Sequence, residues 1–310
     1  MPYRFDDKLV VAVSSRALFD LSEEHAVFEN SNEKAYREHQ RKHERVPLER
    51  GVAFPFVQRL LGLNKIGGDP DRRLVEVVLL SRNDADTGLR IFNSIDHYGL
   101  DITRAVFTRG GSKDEYLRAL EAELFLSADP DDVTRALHAN QPAGLVIEGT
   151  QPDEDEDHQL RIAFDMDGVL ASDESEQVYQ AQGKTAYHRS EAANAGTPLT
   201  PGPLKGLLQR ISDIQQIEMQ SMHFDSDYTP RLRTALVTAR NAPAHERVVT
   251  TLREWGVNVD EAMFLGGAAK PPFLSAFKPH IFFEDQMPNV ESASESVPSV
   301  HIPYGQLNTA

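Results

Sequence analysis

The chain has 310 residues, a formal net charge of −16 and no cysteine. This length corresponds to roughly two domains, and the missing cysteines exclude disulfides, thiolate metal sites and cysteine catalysis. The negative charge argues against a nucleic acid polymer or an anionic membrane surface as a partner, because either would require a basic face. No apolar run approaches the roughly 20 residues of a membrane helix, so we expect no membrane contact and a cytoplasmic location.

In residues 1–150, short apolar runs alternate with longer polar segments. Leu9–Val13 and Val75–Leu80 are continuous apolar runs, which are typical of parallel strands buried on both faces. Further short strands are predicted at Ala105–Thr108 and Leu124–Leu126. Strands that alternate with helices in this way predict an α/β domain with a parallel sheet.

The same pattern returns after the acidic stretch Gln151–His158, which is typical of a solvated linker. The predicted strands are Leu160–Phe164, Thr234–Val237, Met263–Leu265 and Ile281–Phe283. Between the second and third of them, Ala244–Trp255 has apolar residues at helical spacing and stops at Gly256.

The two halves also align residue by residue. A shift of 151 residues places Leu9–Leu18 on Leu160–Val169 and Gln58-Arg59 on Gln209-Arg210 without a gap, and after a length change Lys113 falls on Lys270. We therefore expect a tandem duplication with halves at 1–150 and 151–310, each an α/β unit with a Rossmann-like parallel sheet. Duplication also suggests a pseudo-two-fold relation between the halves.

Two carboxylates follow the first strand of the second half. Asp165 and Asp167 are separated by one residue, and Gly168 turns the chain behind them. Ligands of parallel sheets bind at the carboxyl ends of the strands, so both side chains are expected in one pocket. One carboxylate can act there as a nucleophile towards phosphorus and the other as a proton donor.

Four segments in order resemble the motifs of the haloacid-dehalogenase superfamily. They are Asp165-Met-Asp167-Gly-Val, Leu236-Val-Thr238, Lys270, and Phe282-Phe-Glu284-Asp285. More narrowly, the segments Phe164–Glu176, Gly202–Gly206, Phe264–Lys270, His280–Gln286, Val11–Phe19 and His301–Gly305 resemble the cytosolic 5′-nucleotidase type I family. The resemblance covers nearly the whole chain and implies Mg²⁺-dependent hydrolysis of nucleoside 5′-monophosphates, with AMP as the expected substrate.

The resemblance also implies residue roles. Asp165 would form an aspartyl-phosphate, Asp167 would act as general acid and base, and Thr238 and Lys270 would stabilise the phosphoryl group. Mg²⁺ would bind Asp165, the main-chain carbonyl of Asp167, and Asp285. Glu284 stands where an aspartate is common in the family, and we include it as a metal ligand that reaches the ion through water.

An insert at about residues 171–233 lies between the first two motifs, where the superfamily places a cap. The polar or aromatic candidates in it for contacts with ribose and base are Ser172, Asp173, Glu174, Tyr179, His188 and Lys205. Gly168, Ala239 and Arg240, which adjoin the first two motifs, complete the predicted substrate-binding set. For each cap residue a solvated or helix-capping role is an equal alternative.

The first half lacks the catalytic residues. Ser14 stands for Asp165, Arg16 for Asp167, Leu80 for Thr238, and Ser127-Ala128 for Glu284-Asp285; the lysine is kept as Lys113. With no carboxylates at these positions, the first half is expected to be a scaffold, or alternatively a regulatory site that binds an anion without metal. For the whole chain, a phosphatase of another phosphoester such as a sugar phosphate, or a nucleotide-binding sensor, stays open, as does a homo-oligomer.

Overall fold

The computed structural model describes residues 3–23, 33–68, 72–149, 157–224 and 227–308. Most of the predicted acidic linker, residues 151–156, lies outside the described residues. No helix in the described part of the chain is both long enough and apolar enough to cross a membrane.

In the described residues, ten strands form one sheet and two short strands form a separate antiparallel pair. The sheet contains β1 (Leu9–Val13), β4 (Val75–Ser81), β5 (Arg104–Phe107), β6 (Leu124–Ser127), β7 (Ala143–Val146), β8 (Leu160–Phe164), β9 (Leu232–Thr238), β10 (Glu261–Phe264), β11 (Ile281–Glu284) and β12 (Ser299–His301). The antiparallel pair is β2 (Phe19–Asp20) with β3 (Glu49–Arg50). Every predicted strand is confirmed, with ends that differ by one or two residues, so the chain has the predicted α/β fold with a mostly parallel sheet.

The helices follow the strands in the alternating order that the sequence indicates. They are α1 (Ser15–Leu18), α2 (Glu33–Lys42), α3 (Phe54–Gly62), α4 (Ala85–His97), α5 (Asp114–Ala119), α6 (Pro130–His138), α7 (Glu174–Ala193), α8 (Lys205–Phe224), α9 (His245–Trp255), α10 (Pro271–Phe277) and α11 (Met287–Ser294). The predicted helix before Gly256 is confirmed as α9. Gly256 adopts a left-handed φ of 66° and its N–H caps the last turn, which glycine does without a steric penalty.

The order of the strands reads the same from the centre of the sheet towards either edge. The full order is β10-β9-β8-β11-β12-β7-β6-β1-β4-β5. In each half, the first strand (β1 or β8) is the third of its five strands counted from the centre of the sheet. The last strand of each half (β7 or β12) lies at the centre. There β7 and β12 pair antiparallel, Val146 with Val300, while the other pairs in this sheet are parallel. The sequence analysis did not predict this central pair.

The two halves also exchange equivalent contacts. Arg59 Nε donates to the carbonyl of Asp157 at 2.9 Å, and Arg210 Nη2 donates to the carbonyl of Asp6 at 2.8 Å. Each residue of the first bond is related to its counterpart in the second by the same shift of 151 residues. In addition, α3 of the first half contacts β8, and α8 of the second half contacts β1. The helices after the two inserts therefore pack across the boundary between the halves.

One face of the sheet carries a core that is continuous through both halves. Along β1, Leu9, Val11 and Val13 join this core, and Val10 and Ala12 point to a separate cluster on the opposite face, as the alternation of strand side chains requires. The shared core includes residues of β8 and of α8. Burying each large side chain of this kind contributes about 1.5–3 kcal/mol, so the halves are held together by much more than the central strand pair.

The predicted cap at about 171–233 divides into two parts in the structure. The apolar residues Leu207, Leu208 and Ile211 of α8 are fully buried in the shared core. Only Ser175 and Glu191 are buried along α7, and a break at Gly183 interrupts this helix. The apolar residues of α8 therefore cover the sheet, whereas no residue of α7 belongs to the shared core; the bounds of the cap stay a prediction. Within the insert, α7 contacts Arg240 through Glu191 and Tyr187.

Candidate active site

Asp165 is the first residue after β8, which lies between β9 and β11 in the sheet. Thr238 is the last residue of β9, and Glu284 is the last residue of β11. Because the three strands are parallel and adjacent, their carboxyl ends bring these residues together. The N–H of Asp165 donates to the carbonyl of Phe283 at 2.9 Å, which anchors the residue beside β11. The structure thus places the predicted nucleophile at the centre of the strand ends.

Lys270 precedes α10 and reaches the same point from the side. Its Nζ lies 2.9 Å from Asp165 Oδ1 and 2.6 Å from Glu284 Oε2, and the side chain is almost fully buried. Burial alone would lower the pKa of Lys270, but the two carboxylates outweigh burial and hold that pKa above its usual range. Lys270 therefore carries a positive charge beside Asp165.

Asp165, Glu284 and Asp285 form a buried carboxylate cluster whose ligand oxygens lie within 4.8 Å of one another. Oδ1 of Asp285 is buried and has no hydrogen-bond partner among the described residues. Burial, with Asp165 and Glu284 nearby, raises the pKa of Asp285 to about 10. Burial likewise raises the pKa of Asp165 to about 7. The positive charge of Lys270 opposes this rise, and the negative charges of Glu284 and Asp167 add to it.

This cluster fits a hard divalent cation. Mg²⁺ is a hard ion that prefers oxygen ligands such as carboxylates, and the three side chains offer such oxygens close together. A cation would also occupy the unpartnered oxygen of Asp285 and offset the charges that raise the two pKa values. The cluster contains three of the four predicted metal ligands; the fourth was the main-chain carbonyl of Asp167, and its role stays a prediction.

The side chain of Asp167 is paired with Arg240. Arg240 Nε and Nη2 donate to the two carboxylate oxygens at 2.7 and 2.6 Å, and its Nη1 donates to Glu191 on α7. Glu191 is also bound by Arg247 Nη1 at 3.0 Å and by Ser175 Oγ at 2.8 Å. These contacts form a continuous buried network from the catalytic strand ends to α7.

The other predicted substrate-binding residues differ in where they lie. Gly168 packs directly against Asp285, and Ala239 is exposed between Thr238 and Arg240 at the end of β9. Ser172 Oγ is buried and has no hydrogen-bond partner among the described residues. The substrate contacts of Ser172 and Ala239 stay predictions, and Gly168 adjoins the carboxylate cluster at Asp285.

Glu174 and Lys205 lie farther from this centre. Glu174 accepts hydrogen bonds from Arg247 at 2.7 Å and from Thr200 at 2.8 Å, so it belongs to the network that holds α7. Lys205 contacts Gln209 at 3.3 Å on its own helix, and no contact in the described residues joins it to the carboxylate cluster. Their predicted substrate contacts stay predictions, with a structural role shown for Glu174.

Of the further cap candidates, Asp173 has a structural role. Its Oδ2 accepts a hydrogen bond from the N–H of Gln306 at 2.7 Å, and a side chain at Gly305 would collide with it. Tyr179 and Tyr187 contact each other edge to face, and Tyr187 contacts His188. Tyr187 also lies beside the guanidinium of Arg240, with 6.0 Å from Cζ to the ring centre.

Sequence reasoning assigned no role to several residues that build the site. Glu191 and Arg247 are the largest omission, because each is a charged residue within a helix and neither has a motif around it. The segment after β12 was noted for its resemblance, but not for its contacts. There, His301 Nε2 and Asn308 Nδ2 lie 2.9 and 3.0 Å from the carbonyl of Asp285. Only the fold shows that His301 and Asn308 contact the main chain of Asp285 in the carboxylate cluster.

The first half contains carboxylates that the alignment did not predict. Asp84, Asp129 and Asp132 line the cavity at the strand ends of this half. Asp132 is buried and pairs with Lys113 at 2.6 Å and with Arg82 at 2.6 Å. The aligned strand-end positions lack carboxylates as expected, and the acids come instead from α6, from the residue before it and from the loop before α4. In the described part of the chain, only the cluster around Asp165 groups three potential metal ligands.

Comparisons with known proteins agree with the geometry. The family model described as 5′-nucleotidase matches residues 1–309. Cytosolic 5′-nucleotidase 1B of Homo sapiens is 37% identical over 296 residues, which are 94% of this chain and 48% of that protein. The chain therefore spans about half the length of this curated relative. No solved structure matches the chain.

Proposed function

Because the chain belongs to the 5′-nucleotidase family, we propose that it hydrolyses nucleoside 5′-monophosphates to a nucleoside and phosphate. Family membership indicates a phosphoric monoester hydrolase. The observation that carries the proposal is the position of Asp165, which lies at the end of the central strand beside Lys270, Thr238 and the carboxylates of β11. AMP is the expected substrate, and cytoplasm is the expected location.

In the proposed first step, a carboxylate oxygen of Asp165 attacks phosphorus. The new bond is an acyl-phosphate, and the bond from phosphorus to O5′ of the ribose breaks. Lys270 and the hydroxyl of Thr238 stabilise the charge on the phosphoryl oxygens. Thr238 is suited to this role because its Oγ1 accepts from the N–H of Arg240 at 3.2 Å, which leaves its own proton free to donate.

Asp167 is the proposed proton donor for the leaving O5′. In the second step it removes a proton from the water that attacks the acyl-phosphate, and phosphate is released. The bidentate pair with Arg240 occupies both carboxylate oxygens of Asp167, so a leaving oxygen cannot reach them while the pair is intact. We therefore propose that Arg240 shifts from Asp167 to the phosphate when substrate binds, since a phosphate dianion offers a guanidinium the same fork geometry.

Asp165, Asp285 and Glu284 would hold the divalent cation, with the main-chain carbonyl of Asp167 as a further ligand. When bound, Mg²⁺ would offset the charge of the carboxylates and of the transferring phosphoryl group. Gly168 has no side chain to obstruct Asp285, and His301 and Asn308 hold the main chain of that residue. These residues orient the ligand set whether or not a substrate is present.

Specificity is proposed to come from α7 and the loop before it. Ser172 Oγ is a buried hydroxyl without a partner among the described residues, so it is a suitable donor or acceptor for a substrate hydroxyl. Glu174 and Glu191 bind the arginines that connect α7 to the strand ends. A shift of Arg240 would therefore also change its contact with Glu191 on α7. In this proposal α7 acts as the cap.

The chain is further proposed to be a tandem duplication, with halves at 1–150 and 151–310. The mirrored strand order and the equivalent contacts of Arg59 and Arg210 support this. An isologous contact between two copies makes each bond twice, once in each direction, and these two bonds have that form within one chain. The halves touch through β7 and β12, as the pseudo-two-fold hypothesis requires.

The test is release of inorganic phosphate by the purified protein with Mg²⁺. Substrates are AMP, GMP, IMP, CMP, UMP, their deoxy forms and several sugar phosphates, and the variants are Asp165→Asn and, as a matched control, the exposed Asp213→Asn. The parent and Asp213→Asn are expected to hydrolyse nucleotides, and Asp165→Asn is expected not to. A preference for sugar phosphates would favour the alternative substrate class. If folded, metal-loaded protein binds a nucleotide tightly but does not hydrolyse it, the proposed enzymatic activity is contradicted and a nucleotide-binding sensor is favoured.

A further inference from the structure

A cavity of about 590 Å³ opens at the carboxyl ends of the strands in the first half. It is lined by residues that follow β1, β4 and β6, which are the strands corresponding to β8, β9 and β11 of the candidate active site. Small-molecule sites commonly have volumes of roughly 300–1,000 Å³. The cavity is therefore large enough for a small organic ligand, and it lies where parallel α/β sheets bind their ligands.

The charge of the cavity differs from that of the chain. Five cationic side chains and three carboxylates line it, although the chain as a whole has a formal charge of −16. The cationic residues are Arg16, Arg37, Arg82, Arg109 and Lys113. A local excess of positive charge in an acidic protein favours an anionic ligand. Leu21 and the ring of Tyr36 add an apolar part to the wall, which suits an organic group attached to the anion.

The residues at the aligned positions reverse the chemistry of the catalytic half. Where the second half has the carboxylates of Asp165 and Asp167, the first half has the hydroxyl of Ser14 and the guanidinium of Arg16. A phosphate group can bind a hydroxyl and a guanidinium directly, without a metal to offset negative charge. No carboxylate stands at the position of Asp165, so the acyl-phosphate proposed for the second half could not form there.

Several donors at this site are available to a ligand. Arg16 is exposed, and no described residue forms an ion pair or hydrogen bond with its guanidinium. Ser14 Oγ accepts from the N–H of Ala17 at 3.2 Å, so its hydroxyl proton stays available. Asn83 Nδ2 is buried and has no acceptor among the described residues. An unpaired buried donor costs about 1–3 kcal/mol, and an anionic ligand would supply the missing acceptor.

The acids in the cavity are already neutralised. Asp132 is bound by Lys113, by Arg82 and by Arg135, each at 2.6 Å. Arg82 also pairs with Asp129 at 2.7 Å, and Arg37 pairs with Asp84 at 2.7 Å. The carboxylates therefore hold the cationic side chains in position and leave the cavity with a net positive field.

From these observations we propose that the first half binds a phosphorylated small molecule in this cavity, through its phosphate group, without a metal ion and without hydrolysing it. The phosphate lies at Ser14, Arg16 and Asn83, and the organic part lies towards Leu21 and Tyr36. This site does not depend on turnover in the second half. It makes the first half a ligand-binding unit and not only a scaffold.

The test is calorimetric titration of the full chain in EDTA with inorganic phosphate, AMP and adenosine. Without metal, the carboxylates of the catalytic half repel phosphate, and no turnover takes place. The variants are Arg16→Glu and the control Arg118→Glu, which changes the net charge equally at an exposed arginine of α5 outside the cavity. Arg16→Gln and Arg118→Gln repeat the comparison without charge reversal, in case a glutamate at position 16 impairs folding.

Phosphate and AMP are expected to bind the parent and Arg118→Glu with similar affinity, and adenosine is expected to bind much more weakly. Arg16→Glu should weaken the binding of inorganic phosphate and of AMP by about 10- to 100-fold, as expected for the loss of a charge-assisted hydrogen bond. Three results would overturn the proposal: no metal-independent binding to the parent, equal losses in the variants at positions 16 and 118, or adenosine binding as tightly as AMP. A failure of phosphate release with Mg²⁺ would concern the second half alone.

Discussion

Arg240 donates a hydrogen bond from Nε to Oδ2 of Asp167 at 2.7 Å and a second from Nη2 to Oδ1 at 2.6 Å. The guanidinium is almost fully buried, and its third contact is the carboxylate of Glu191 on α7. Burial opposes the charged guanidinium, yet Asp167 and Glu191 outweigh burial and raise the pKa of Arg240 above its usual range. The pair thus joins the proposed general acid to the helix proposed to cover the site.

Arg240→Lys is expected to lower kcat/KM for AMP by about 100-fold or more. Lysine keeps the charge but cannot bind a carboxylate or a phosphate through two parallel hydrogen bonds. Steady-state kinetics would measure the loss, and Arg233→Lys on the exposed side of β9 serves as the control. Values of kcat/KM within about threefold of the parent in Arg240→Lys would show that the fork geometry is unimportant.

Gly168→Ala is expected to abolish tight Mg²⁺ binding. A Cβ at position 168 would lie 2.4 Å from Oδ2 of Asp285, so the carboxylate would have to move. Gly183→Ala is the matched control, because the two glycines have nearly the same φ, 75° and 77°, and a Cβ at position 183 meets no atom within 4 Å. In both variants a side chain at a positive φ adds backbone strain of about 1–3 kcal/mol. Calorimetry that finds equal Mg²⁺ affinity in both would contradict the proposed role of Asp285.

The thermal stability of the metal-free protein is expected to fall as pH rises from about 5 to 9. Burial raises the pKa of Asp165 to about 7 and that of Asp285 to about 10, from 3.8 in the unfolded chain. The folded state therefore binds more protons than the unfolded state above pH 4, and the stability from these groups is lost as pH rises through the two folded-state values. Melting temperatures measured in EDTA across this range would show the decrease.

Mg²⁺ should reverse this decrease, because it stabilises the ionised carboxylates. The increase in melting temperature on adding Mg²⁺ is therefore expected to be larger at pH 8 than at pH 6. In Asp285→Asn the side chain is neutral at every pH, so both the decrease in EDTA and the effect of Mg²⁺ should diminish. A variant that keeps the full response to Mg²⁺ would place the ion elsewhere.

Arg59→Met is expected to reduce the free energy of unfolding more than Arg210→Met, although the two arginines make equivalent contacts. Arg59 is only 4% exposed, whereas the side chain of Arg210 is 34% exposed. Losing the buried bond to Asp157 should cost about 1–3 kcal/mol, and losing the exposed one less than about 1 kcal/mol. Urea denaturation would measure both values. Equal losses of unfolding free energy would contradict the expectation that solvent exposure weakens the contact of Arg210 relative to that of Arg59.

The strand ends of the second half could be predicted because the evidence for them is local. A buried parallel strand is a continuous apolar run, and Asp165, Thr238 and Glu284 stand at the ends of three such runs. Their proximity follows from the parallel arrangement of adjacent strands. The packing of α8 could not be predicted, because its apolar residues do not themselves indicate which surface they cover; in the structure they cover the sheet.

The sequence by itself determined the α/β class, the strand ends and the internal alignment, since each depends on residues that are neighbours in the chain or on a constant shift along it. Only the tertiary structure decided that Arg240 pairs with Asp167 and Glu191, that β7 meets β12 antiparallel, and that Asp132 neutralises the lysine of the first half. These contacts join residues at unrelated separations in the sequence. Their free energy depends on burial and on the direction of side chains, and neither quantity exists until the chain has folded.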